Sequence, residues 1–167
     1  GPWTISAVKF LRNDDAAGAL LLTVGAGCTN ASYTNVNATA STNEVYPSCS
    51  GTRESPIWFK FKAPASGAVR ISTDVGASLV GFYDTKVGLF SASDSSNYST
   101  FSIITCDEDG GSNTAIGGFG YASVLYATGL TPNAVYWIAV DKYLTGASGT
   151  SGNFCITVDE LSNTMLA

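Results

Sequence analysis

The chain has 167 residues, 45% of them apolar or aromatic, which suits a single domain with a sizeable core and argues against disorder. Thirteen acidic residues against 8 basic ones give a net charge of −5, which argues against a basic nucleic-acid face and against attraction to an anionic membrane surface. No apolar run approaches the roughly 18 residues that span a bilayer, so membrane insertion is not expected. No signal peptide is visible, which fits a mature chain or an excised domain, and Gly1-Pro2 reads as a protease scar and is set aside.

In chain order, Thr4 to Leu11 is apolar with poor alternation and reads as an N-terminal strand or linker over residues 1–12. Ala16 to Val24 fits a short helix or a buried strand, and its closing Leu-Thr-Val before Gly25 and Gly27 favours strand. Cys28 to Cys49 is rich in Thr, Asn and Ser, with a short edge strand expected near Ala31–Val36. Ser55 to Thr73 carries the clearest pattern. Ile57, Phe59 and Phe61 alternate with Trp58, Lys60 and Lys62, then Pro64 to Gly67 supplies turn chemistry, and Val69, Ile71 and Thr73 alternate with Arg70 and Ser72. This is the signature of a hairpin with one oily face. Further strands are expected over Lys86–Phe90, Phe101–Cys106, Ala122–Ala127, Ala134–Asp141 and Asn153–Val158, and residues 161–167 carry no strong signal. Short strands, turn signals between them and no long helix predict an all-β fold: a two-layer antiparallel β-sandwich, jelly-roll-like, over residues 13–160.

The four cysteines, Cys28, Cys49, Cys106 and Cys155, form no C-x-x-C pair, so zinc and thioredoxin-like chemistry are disfavoured. Disulfides are preferred over four buried thiols because the low-charge, hydroxyl-rich composition looks extracellular. The favoured connectivity is Cys28–Cys49 with Cys106–Cys155.

The absence of histidine rules out Ser-His-Asp and Cys-His machinery and a histidine-ligated metal. A two-carboxylate glycosidase is formally open, but nothing beyond acidic loop residues suggests one, so the chain is expected not to be an enzyme. The sharpest polar cluster is Asp107-Glu108-Asp109-Gly110-Gly111. With Asp14 and Asp84, Asp107 and Asp109 make a candidate calcium set, since calcium takes about six to eight oxygens from flexible loops. Against it stands an ordinary solvated turn whose carboxylates bond their own backbone. Trp58 on the lysine-bearing face, and Tyr83, Phe119, Tyr121 and Tyr143 in or beside loops, are candidate ligand-binding aromatics, weighed against plain core roles for Trp58 and Trp137. Asn30, Asn37 and Asn97 begin glycosylation sequons, which in this Thr/Asn-rich chain read as chance.

Several runs together resemble bacterial pre-peptidase C-terminal-like domains. They are N-D-D at 13–15, P-I-W-F-K-F-K-A-P-A-S-G-A-V-R-I-S-T-D at 56–74, D-T-K-V-G-L-F at 84–90, C-D-E-D-G-G at 106–111, G-L-T-P-N-A-V-Y-W-I-A-V-D at 129–141 and S-G-N-F-C-I-T-V at 151–158. The resemblance implies a jelly-roll-like sandwich that serves as a non-catalytic accessory module of secreted or cell-surface proteins. The distantly similar collagen-binding modules imply calcium. The expected partners are a polysaccharide or an extracellular matrix-like polymer, and neighbouring copies if the N-terminal strand pairs with another sheet edge. Alanines at 16 and 17 and the expanded 74–83 link depart from the family pattern.

Overall fold

The computed structural model describes residues 11–29, 32–46, 49, 51–75, 84–112, 120–143 and 151–162. The expected N-terminal strand before Leu11, and Tyr83 and Phe119, lie outside these residues. Among the described residues the strands are β1 (Leu20–Leu21), β2 (Tyr33–Thr34), β3 (Ile57–Lys62), β4 (Val69–Ser72), β5 (Thr85–Ser91), β6 (Ser102–Asp107), β7 (Val124–Ala127), β8 (Val135–Lys142), β9 (Asn153–Phe154) and β10 (Thr157–Glu160). They form a five-stranded sheet in the order β1-β3-β8-β5-β6, a three-stranded sheet in the order β10-β4-β7, and a β2-β9 ribbon. All pairings are antiparallel except β1 with β3. The fold is therefore the all-β, two-layer sandwich that the alternation predicts.

The core lies between the layers and is built from the inward parity of each strand. Ile57, Phe59 and Phe61 of β3, Val87 and Leu89 of β5, and Tyr136, Ile138 and Val140 of β8 meet Val69 and Ile71 of β4, Leu125 of β7 and Val158 of β10. The β2-β9 ribbon adds Tyr33 and Phe154, whose rings stand edge-on to Phe59 at 4.9 and 6.1 Å.

The Ser55–Thr73 stretch is not a hairpin. β3 pairs with β1 and β8, whereas β4 pairs with β10 and β7, so the chain crosses from one sheet to the other at Ala63–Ala68. Both strands have their apolar residues on one face, and an arch lets those faces meet each other rather than lie side by side. A second arch at Thr128–Ala134 takes β7 into β8. The two arches are stitched together: Ala63 N donates to the Ala134 carbonyl at 2.9 Å, Asn133 N to that of Ala63 at 2.9 Å, and Leu130 N to that of Gly67 at 2.9 Å. Gly67 has φ +64, and a Cβ there would sit 2.4 Å from the Leu130 carbonyl oxygen, so glycine is required twice over.

Three further expectations change. Ala16–Gly18 is a single 3-10 turn that lays Ala16 and Ala19 on the sheet, leaving only two residues of strand before Val24. The last strand breaks at Cys155–Ile156 and serves two sheets, β9 in the ribbon and β10 in the small sheet. The disulfides join Cys28 to Cys155 and Cys49 to Cys106, with Cα–Cα distances of 5.6 and 5.7 Å, not Cys28 to Cys49 and Cys106 to Cys155. Cys106 lies on β6, the outer edge of the large sheet, whereas Cys155 lies at the ribbon where the chain turns into the small sheet.

Candidate functional site

The outward face of the large sheet is covered at one end and open at the other. Its rows follow from register. Trp58, Lys60 and Lys62 of β3 lie opposite Ala139, Trp137 and Val135 of β8, and Trp137, Ala139 and Asp141 lie opposite Phe90, Gly88 and Lys86 of β5. Trp58, Ala139, Lys86 and Asp141 are fully buried. Trp137 and Lys60 are half-buried, and Lys62 and Val135 are exposed.

The covered end is a second, smaller core. Ala16, Ala19, Trp58, Phe90 and Ala139 are packed beneath Val45, Tyr98 and Phe101. The Trp58 ring centroid is 5.5 Å from Phe90, 5.7 Å from Tyr98 and 5.5 Å from Phe101. Trp58 is thus a core residue and offers no ring face to a ligand. Asn13 binds the β3 backbone on both sides of the Trp58 peptide, accepting from Trp58 N at 2.8 Å and donating from Nδ2 to its carbonyl at 3.1 Å. The indole Nε1 donates to Glu44 Oε1 at 2.6 Å, and Ser41 N donates to Glu44 Oε2 at 2.9 Å. Arg53 clamps the same loop through the carbonyls of Ser41, Thr42 and Glu44.

Glu44 is 3% exposed, and burial raises its pKa to about 7 against the two hydrogen bonds it accepts, with the negative charges of Asp15 and Asp14 adding to the rise. Tyr98, whose hydroxyl accepts from Ala16 N and donates to Asp15, is also raised, chiefly by burial. A carboxyl that holds its proton more tightly when folded stabilises the fold at low pH. That contribution is complete below about pH 4.5 and is lost as pH rises to about 7. We expect urea unfolding to lose about 2 kcal/mol of stability across that interval, after discounting for solvent screening. Glu44→Gln should flatten the curve, and a variant that keeps the full slope would place the titration elsewhere.

Lys86 and Asp141 form a buried cross-strand ion pair at 3.4 Å, both side chains 0% exposed. The ammonium also donates to the Thr52 carbonyl at 3.0 Å and to its hydroxyl at 2.7 Å. Asp141 accepts from the backbone N–H groups of Glu54, Ser55 and Lys142. Burial raises its pKa, and those three N–H groups and Lys86 oppose the rise.

The candidate calcium carboxylates do not converge. Asp14 accepts from the Thr39 amide at 2.7 Å and its hydroxyl at 2.6 Å. Asp84 is buried at the start of β5. Asp107 Oδ2 accepts from Gly110 N and Val124 N, each at 2.8 Å, which closes its own turn and ties it to β7. Asp109 is exposed, its pKa raised by partial burial and by Glu108 and Asp107. Among the described residues no three carboxylates or thiols are grouped to hold a metal ion. Tyr121 and Tyr143 do come together with Asp84 at one end: Tyr143 N donates to the Asp84 carbonyl at 3.1 Å, and Thr85 N to that of Tyr121 at 3.3 Å. Behind them the buried hydroxyls of Thr73, Thr85 and Ser123 form a chain with 2.7 Å links.

The other end of the outward face carries an aromatic residue outside the candidate set, Trp137. Trp137, expected in the core, lies on the outward parity and packs half-buried against the outer core, its indole Nε1 enclosed without a hydrogen-bond partner among the described residues. Tyr136, Ile138 and Val140 occupy the inward parity of β8, so Trp137 must point the other way. Phe101 meets its ring edge-on at 5.9 Å, and Lys60 lies opposite on β3. Val135 to Val140 is apolar at every position, so the sequence marks the outward parity of β8 only at Asp141. Beyond Lys60, across the β1 edge, lies an open cleft of about 510 Å³ lined by Arg12, Ala19, Leu20, Leu21, Tyr33 and Lys60. Compared with known protein families, curated proteins and solved structures, the chain matches none.

Proposed function

We propose that this domain is a non-catalytic extracellular module that attaches a larger secreted or surface protein to a polysaccharide or fibrous polymer. The observation that carries the reading is the less covered half of the large sheet's outward face, where a half-buried Trp137, packed on one side against Phe90 and Phe101, borders Lys60 and leads on to the exposed Lys62 and Val135. A flat sheet face of this kind offers an apolar ring for stacking and flanking donors for hydroxyl or carbonyl oxygens. Two disulfides suit an oxidising compartment, and the resemblance to accessory domains of secreted proteins points the same way.

A glycan and matrix-protein screen, run with and without calcium, tests it. One polymer class should be retained, and Trp137→Ala should weaken that binding about tenfold while Tyr143→Ala, at the other candidate surface, leaves it unchanged. Retention of no polymer by the folded domain defeats the reading.

The alternative is a structural subunit assembled by strand pairing. It is favoured by β6, an edge strand with Ile103 and Ile104 48% and 40% exposed. Light scattering at high concentration decides: a concentration-dependent dimer abolished by Ile104→Lys supports it, and a strict monomer removes it.

A further inference from the structure

We propose that the polymer held by this face is acidic, and that the Arg12–Lys60 cleft receives its anionic groups, the carboxylates or sulfates of a charged polysaccharide. The inference rests on the open sheet face being the binding surface, and it names the ligand class that face selects.

Three observations carry it. The first is the state of the cations. The chain is acidic overall, with 13 Asp and Glu against 8 Lys and Arg, so a place where cations gather runs against the net charge. Lys86 is neutralised by Asp141, and Arg53 is held by the Ser41, Thr42 and Glu44 carbonyls with Tyr46 beneath it. Arg12, Lys60, Lys62, Arg70 and Lys142 make no side-chain hydrogen bond or ion pair among the described residues, and Arg12 and Lys60 stand apart from the rest because they line one cleft.

The second observation is their placement. Register puts Lys60 between Leu21 of β1 and Trp137 of β8. Lys60 therefore borders the cleft on one side and the aromatic platform on the other. Lys62 is the next outward residue of β3, and Arg12 is the second cation lining the cleft. A polymer lying across the face passes Trp137, Lys60 and the cleft in succession.

The third is the chemistry of the cleft itself. At about 510 Å³ it falls within the range of small-ligand sites, roughly 300–1,000 Å³. Leu20 and the 66% exposed Leu21 give it an apolar side, Tyr33 adds a phenol, and the two cations supply the charge. A sugar ring bearing an anionic group has the matching parts: an apolar ring face, hydroxyls, and oxygens that accept charge-assisted hydrogen bonds from a guanidinium. A neutral sugar would leave both cations uncompensated. A polyanion is repelled by the net charge of −5, so its capture requires this local reversal of sign.

The test is affinity electrophoresis and calorimetry of the whole chain with polygalacturonate, dextran sulfate and, as the neutral control, dextran. We expect binding to at least one of the two polyanions, weakening with added salt, and none to dextran. Arg12→Gln with Lys60→Gln should lose about tenfold or more in affinity with the melting temperature unchanged, whereas Lys142→Gln, a cation away from the cleft, should bind as the parent does. Binding of carboxylated but not sulfated polymer, or the reverse, identifies which anion the cleft accepts. Dextran bound as tightly as the polyanions, or polyanion binding that survives the double substitution, overturns the inference and leaves the polymer-binding reading intact. Retention of no polymer at all removes both.

Discussion

Lys86→Met should lower the unfolding free energy by about 3–5 kcal/mol at neutral pH, among the largest losses available from a single substitution in this chain. The lysine is fully buried, and among the described residues its charge is balanced by Asp141 alone, at 3.4 Å directly across the β5-β8 ladder. Removing it strands a carboxylate that the fold cannot expose, because three backbone N–H groups hold it in place. The same arrangement fixes how the loss varies with pH. Burial already raises the Asp141 pKa, and without the ammonium it rises further. The variant therefore binds a proton on folding that the unfolded chain has released, and its deficit shrinks as pH falls. Urea unfolding at pH 7 and at pH 5 checks both points. A deficit independent of pH would mean that packing of the lysine stem, not its charge, carries the effect. Asp141→Ala is expected to be at least as damaging, because it orphans the N–H groups of Glu54, Ser55 and Lys142 together with the ammonium.

The second large effect belongs to the disulfides. Cys28–Cys155 closes a separation of 127 residues and Cys49–Cys106 one of 57. Loops of this length restrict the unfolded chain strongly, and loss of either bridge should cost about 2–5 kcal/mol. The paired serine variants Cys28→Ser/Cys155→Ser and Cys49→Ser/Cys106→Ser should each melt well below the parent. Peptide mapping without reduction should yield fragments linked 28 to 155 and 49 to 106. Recovery of a 28–49 link would contradict the layer assignment of β6. The second bridge has a further local role, since it pins the stretch before β3 to the β6 edge, beside the loop whose Glu44 and Val45 cap the outer core.

Strand identity was legible in the sequence because alternation is a local property. β3, β4, β5 and β8 each carry apolar residues at alternate positions, Ile57, Phe59 and Phe61, Val69 and Ile71, Val87 and Leu89, and Tyr136, Ile138 and Val140, and the structure turns those positions into the core. Strand partnership was not legible, because it depends on residues far apart in the chain. Pro64 and Gly67 announce a reversal of direction, but the same turn chemistry serves a hairpin within one sheet and an arch between two. What distinguishes them here is the bonding of Ala63 and Gly67 to the 130–134 turn, about seventy residues further on. The disulfide pairing failed for the same reason. Nearest cysteines in the sequence looked like partners, while the sheet order sends them apart. Trp58 shows the complementary limit. Its position on the lysine-bearing parity was read correctly, but its burial depends on Asn13, Glu44 and Tyr98 arriving from three other segments. Trp137 is the reverse case: its strand is apolar from Val135 to Val140, so no polar position nearby marks which parity faces outward, and the ring ends half-buried against the outer core.

The chain changes sheet at nearly every step. β5 and β6 are the one pair of consecutive strands that share a sheet among the described residues, so no other contiguous stretch can build part of a layer alone. Each ladder must wait for a segment from elsewhere, and the two joined arches cannot close until both layers are present. Such a topology has a nucleus made of distant contacts, with a long search before the first reward. The domain should therefore fold on the millisecond-to-second scale and unfold in one cooperative step.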